Sequence, residues 1–192
     1  MWHLFLEGDD KCFALIYKNH IQRLLLYGHK LCPDTEIVHD SIQEIFIQLF
    51  QKRNELAPEI ENLKAYLFVA LRNDLIKKMV KKRKFDWIDM SNKGDEPLFT
   101  VEYSYQDQLI EQEISAEIKA KLARAVNALP NKQKEIIYLK FEEGMSYREI
   151  SGILGISVES ARKLLYRALL SLREALKNSS LQSIVLFLLK KD

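Results

Sequence analysis

Three short stretches hold residue types that could do chemistry, and none of them assembles a reaction. In "DSIQEIF", residues 40–46, Asp40, Gln43 and Glu44 share one side at helical spacing, opposite Ile42, Ile45, Phe46 and Leu49. Paired carboxylates can act as general acid and base or hold a metal, but this stretch holds no histidine or third acid beside the two. A polar cluster of this kind suits the basic residues of a protein partner. In "NLKAYLFVALRNDLIKKMVKKRK", residues 62–84, Tyr66 and Phe68 come first, then Arg72 and Asn73, then Lys77, Lys78, Lys81 and Lys82. Aromatic rings stack on unpaired bases, an Asn amide hydrogen-bonds a base edge, and Lys or Arg neutralises phosphates. That combination suits single-stranded or opened DNA; the bland alternative is a core helix with a solvated basic end. In "SVESARKLLYRAL", residues 157–169, the side opposite the apolar positions carries Glu159, Ser160, Lys163, Tyr166 and Arg167, with Arg162 at its edge. Small polar and basic residues early in a helix are what base-edge and phosphate contacts require.

These residues need helices beneath them. Glycine and proline are scarce and aliphatic residues recur at helical spacing, so the chain is expected to be all-α. Helices are predicted at about 10–31, 34–52, 60–83, 108–127, 131–142, 146–154 and 157–177, followed by a short tail helix, with breaks at Pro33–Asp34 and at "ELAPEIEN". Asn131 is a cap candidate for the helix after Pro130. Ser146 and Glu149 form a capping-box pattern, Gly155 supplies a turn, and Ser157 is the next N-cap. Together they predict a helix-turn-helix whose second helix buries Val158, Ala161, Leu165, Ala168, Leu172 and Leu176. Residues 86–106 have no sustained period and hold a Gly, a Pro and several acids. The expected organisation is therefore a helical domain over 1–85, a linker over 86–107, a second helical domain over 108–178 and a tail over 179–192.

Charge follows the same division. The net charge is only +2, yet Arg72 to Lys84 carries seven bases against Asp74, and Asp86 to Glu117 carries nine carboxylates against Lys93. The stretch from Ile118 to Lys177 is basic again. A near-neutral total thus conceals a basic–acidic–basic pattern. Cys12 and Cys32 have no CxxC or Cys/His spacing, and the four histidines are scattered, so neither metal nor cofactor is expected. The start, "MWHLFLEGDDK", lacks the basic opening and apolar core of a secretory leader. The tail "LQSIVLFLLKKD" is far short of the ~20 apolar residues a membrane span needs. A cytoplasmic protein without membrane insertion is expected.

In combination these stretches resemble a bacterial RNA polymerase sigma factor of the extracytoplasmic-function (ECF) group of the sigma-70 family. "DSIQEIF" is similar to that family's D-x-x-Q-E-x-F stretch, "YLFVALRN" to its W/Y-L-x-x-x-A-x-N segment, and "LPNKQKEI…GMSYREISGILGISVESARKLLYRAL" to its region 4. The resemblance covers about Phe5 to Leu176, and three motifs in order make it specific. It implies two helical domains, regions 2 and 4, and a transcription initiation factor without catalytic activity of its own. The partners it implies are core RNA polymerase (β′ clamp helices and β flap), promoter DNA and an anti-sigma factor. Asp40, Gln43 and Glu44 would meet the clamp helices. Tyr66, Arg72 and Asn73 would help melt and read the −10 element, with Lys77, Lys78, Lys81 and Lys82 on nearby phosphates. Ser160, Arg162, Lys163, Tyr166 and Arg167 would serve the −35 element. The acidic linker would pass through polymerase channels otherwise occupied by nucleic acid. Leu164, Leu170 and the 181–189 tail are candidate anti-sigma contacts. Departures from the family pattern are Ala161 where Val is common, Leu164 where Arg is frequent, Tyr66 where many members have Trp, and the extension past Lys177.

Two other classes remain. A stand-alone helix-turn-helix regulator binding duplex DNA would leave the polar cluster and the basic aromatic helix unexplained. An interaction protein without DNA contact would leave the basic recognition helix idle, and the salt dependence of DNA binding separates it.

Overall fold

A computed structural model describes residues 2–53, 62–85, 98–100 and 116–177. The chain divides into two compact units, Met1–Leu98 and Phe99–Asp192. Every described element is helical, as the apolar periodicity requires.

The first unit packs α2 (Asp10–Leu31), α3 (Thr35–Gln51) and α4 (Leu63–Phe85) against one another. Asp9 and Asp34 cap the first two of these helices, each carboxylate accepting two backbone N–H groups of the opening turn. The predicted faces are buried: Ile42, Ile45, Phe46 and Leu49 of α3, Ile16, Leu24, Tyr27 and Leu31 of α2 and Leu67, Leu71 and Leu75 of α4 all belong to the core of the unit. Gly28 sets how closely α2 and α3 approach, because a Cβ there would lie 2.7 Å from Val38 Cγ1. A short helix absent from the sequence prediction, α1 (Trp2–Leu6), closes one end by burying Phe5, which stacks on Phe13 at 5.6 Å. Five residues are too few for a periodicity signal, and tertiary burial of Phe5 holds them.

The second unit contains α5 (Ala116–Asn127), α6 (Asn131–Ile137), α7 (Tyr147–Leu154) and α8 (Val158–Ala175). The helix predicted over 131–142 is α only to Ile137 and then widens into a π-helical turn, Tyr138–Glu142. The wider turn lets Tyr138 Oη donate to Glu143 at 2.8 Å inside the unit, a side-chain bond that local patterning does not encode. The capping box is formed in both directions: Glu149 N–H donates to Ser146 Oγ and Ser146 N–H donates to Glu149 Oε2. Gly155 takes φ +64°, the left-handed turn that favours glycine, and Ser157 caps α8. On α8 and its C-cap, Ala161, Leu165, Ala168, Leu172 and Leu176 are buried, whereas Val158, predicted with them, is 38% exposed.

Two expectations change here. Asn131 does not cap α6 but is its first residue, with Pro130 at the N-cap and no side-chain cap; its Oδ1 instead accepts the N–H of Phe99 at 3.3 Å. Phe99 lies within the span expected to be linker, yet it is only 1% exposed and rests on Tyr138, ring centroids 5.7 Å apart. A single aromatic residue between acids carries no period, so its burial was not legible. The remainder of the linker, the "ELAPEIEN" break and the tail with its predicted helix lie outside the described residues.

Candidate functional site

The three stretches occupy three exposed surfaces. On α3, Asp40, Gln43 and Glu44 all face outward, brought together by the spacing that buries Ile42, Ile45 and Phe46. Beside them runs an open groove of about 520 Å³ between α2 and α3, floored by Phe13, Tyr17, Phe46 and Phe50 and edged by Gln43 and Ile47. Tyr17 packs edge-on to Phe46 at 4.8 Å, and Phe13 tilts over Phe50 at 5.1 Å. Tyr17 and Ile47 stay 43% and 46% exposed, so the apolar groove continues the polar cluster as one face. Sequence reasoning found the cluster and missed the groove, although Phe13/Tyr17 and Phe46/Phe50 each stand four residues apart.

The α4 surface is more constrained than its sequence suggested. Tyr66 and Asn73 are exposed, but Phe68 is 1% exposed and stacks on Tyr27 at 4.7 Å, a core contact rather than a base platform. Arg72 is also interior, at 7% exposure. The physical reason is register: Arg72 follows Leu71 and stands four residues after Phe68, on the buried side of the helix. Lys77 and Lys81 face outward. Lys78 bridges Glu44 of α3 at 2.8 Å and Asp74 at 3.0 Å, and Lys82 reaches the cap residue Asp34 at 2.7 Å. Partial burial works to lower the Lys78 pKa, but hydrogen bonds and charge from Glu44 and Asp74 outweigh it and raise the pKa. The hydrogen bond from Lys82, helped by the cap N–H groups, holds the Asp34 carboxyl below its ordinary range. Glu44 therefore belongs both to the polar cluster and to the α3–α4 seam.

On α8, Ser160, Arg162, Lys163, Tyr166 and Arg167 are all exposed along one flank, with Tyr166 at 56%. Ser160 shares a hydroxyl contact with Ser157 at 2.9 Å, Lys163 pairs with Glu159 at 2.6 Å, and Arg167 Nε donates to the Lys163 carbonyl at 3.3 Å. Leu164 and Leu170 are half-buried. Among the described residues no group of three or more His, Cys, Asp or Glu could hold a metal, and no helix is long and apolar enough to cross a membrane.

The second unit carries a helix-turn-helix with a basic flank on its second helix, and the first carries exposed lysines on α4. Residues 16–85 match the family model for Sigma-70 region 2, and residues 119–172 match the model for Sigma-70, region 4. The chain belongs to the ECF group of the sigma-70 family. The ECF RNA polymerase sigma factor SigW of Bacillus subtilis (strain 168) is 24% identical over 90% of this chain and 92% of its own. The fold of this ECF factor is that of the sigma factor RpoE of Bartonella quintana, solved with the anti-sigma factor NepR: TM-score 0.62 at 23% identity, covering 88% of this chain and 98% of RpoE. CnrH, solved with the cytosolic domain of CnrY, matches with TM-score 0.58 at 19% identity over 93% of this chain and 96% of its own. The region 2 match ends at Phe85, where α4 ends, and the region 4 match runs from within α5 to Leu172 of α8. DNA recognition by this ECF factor is of the sigma-factor kind.

Proposed function

We propose that this ECF factor binds core RNA polymerase through the α3 face and directs initiation by contacting both promoter elements. Asp40 and Gln43, with the adjoining groove, receive the β′ clamp helices: an aromatic floor beside a carboxylate fits a helix that is apolar on one side and basic at its margin. Glu44 contributes from the edge of the same face while holding Lys78. Tyr66 and Asn73 meet the opened −10 strand, Lys77 and Lys81 its phosphates, and Lys78 and Lys82 join by exchanging their carboxylate partners for phosphates. Arg72 supports this surface from inside. On α8, Ser160, Arg162, Lys163, Tyr166 and Arg167 face the −35 major groove, and the β flap holds region 4 in place. The acidic linker takes a path through polymerase that nucleic acid also uses, and an anti-sigma factor covers these surfaces when the factor is silent, as NepR accompanies RpoE. Polymerase performs the chemistry, with no catalysis by this chain, and the setting is the cytoplasm.

The observation that carries this reading is the continuity of Asp40, Gln43 and an open aromatic groove on one face of a region 2 unit. It is tested by titrating the chain against sigma-free core polymerase. Near-stoichiometric binding that collapses in Asp40→Lys/Gln43→Lys, a pair that leaves the Glu44–Lys78 contact intact, is the expected result. Unweakened binding by a folded double variant would rule out this docking face.

A further inference from the structure

The ring of Tyr147 carries two cations. Lys140 Nζ, from the π-helical turn, lies 4.6 Å from its centroid, and Arg162 Cζ, from α8, lies 5.4 Å from it. Three elements thus converge on one aromatic side chain, each held in place independently. Tyr147 opens α7, where the reciprocal Ser146–Glu149 capping box fixes the first turn. The buried Tyr138–Glu143 hydrogen bond closes the turn bearing Lys140. Ala161, directly before Arg162, is fully buried.

We infer that Tyr147 is a positioning residue for −35 recognition, setting the Arg162 guanidinium to grip a DNA phosphate beside the start of α7. A guanidinium stacked on a ring uses its face and leaves its N–H fork, which lies at the edge, available to an acceptor. Lys163 on the same flank is different: its ammonium is already engaged by Glu159 at 2.6 Å. The arrangement reduces the rotamer freedom Arg162 must lose on binding.

This inference rests on the −35 reading, and the experiment separates the two. Holoenzyme reconstituted from core polymerase and the full-length chain is first used to select duplexes from a library randomised across the −35 position; the winning duplex is the probe. Tyr147→Leu is expected to weaken probe binding about two- to fivefold, the factor corresponding to an exposed cation–π contact, and Tyr147→Phe to stay within about twofold of the parent. In an Arg162→Ala background, Tyr147→Leu is expected to cost nothing further, the non-additivity that a purely structural role would not produce. Tyr147→Met, which also lacks the π face, carries the same expectation should the Leu variant misfold. Parent-like binding by both variants, or an equal loss with and without Arg162, overturns the role of Tyr147 while leaving −35 recognition standing. A parent holoenzyme that enriches no −35 sequence overturns both.

Discussion

Arg72 and Tyr66 sit six positions apart on α4 and show how differently two adjacent motif residues can work. Both belong to the stretch whose composition suggests opened DNA, but Tyr66 is 40% exposed while Arg72 is 7% exposed. Removing a buried, partnered charge strands its partners, so Arg72→Ala is expected to destabilise the first unit by about 3–5 kcal/mol. Tyr66→Ala should change stability by no more than ~0.5 kcal/mol yet slow promoter opening. Chemical denaturation beside a permanganate footprint of the −10 strand distinguishes the two. Asp34 offers a second contrast. Its carboxyl is held below the ordinary 3.8, first by Lys82 and then by the cap N–H groups. A depressed folded pKa gives stability that is present above the unfolded value and lost as pH falls through the folded one. Asp34→Asn keeps the cap but not the titration, so its stability should fall less steeply than the parent's as pH drops below the ordinary 3.8; a parallel slope would refute the assignment.

Among elements, the segment Leu98–Thr100 departs most from its composition. It lies in an acidic, aperiodic stretch, but Phe99 is buried against Tyr138 and its N–H is taken by Asn131. The second unit thus draws a core residue from beyond the helices of region 4. Phe99→Ala should cost that unit about 3–5 kcal/mol, the usual range for deleting a buried aromatic ring. Thermal melting of the variant would reveal it, and an unchanged midpoint would mean the segment is not part of this core. The π-helical turn belongs at the same scale. It ends α6 early, and in doing so it brings Lys140 to Tyr147.

At the scale of the whole molecule, the basic stretch 72–84, the acidic stretch 86–117 and the basic stretch 118–177 follow one another, and on the proposed function the basic stretches meet nucleic acid while the acidic one is repelled by it. Two binding units joined in one chain act through effective concentration, which geometry can abolish. On the proposed function, transcription should therefore depend on promoter spacing. Altering the distance between −35 and −10 elements by ~5 bp, half a helical turn, places one element on the opposite side of the duplex. Run-off transcription from such a template is expected to fall at least about tenfold, as the second contact is lost. Equal output from both templates would show that one unit suffices.

The sequence by itself determined the helical class, the caps at Ser146 and Ser157, the left-handed turn at Gly155 and the buried face of α3. Each is written within four or five residues, the reach of a helical turn and of a side chain bonding its own backbone. It also placed Asp40, Gln43 and the α8 flank outward, because the apolar stripe leaves them no other side. Only the tertiary structure decided the rest: the aromatic groove between α2 and α3, the burial of Arg72 and Phe99, the Glu44–Lys78 bridge and the meeting of Lys140 and Arg162 on Tyr147. These depend on which residues from different helices come to lie together, and packing in three dimensions, not spacing along the chain, sets that.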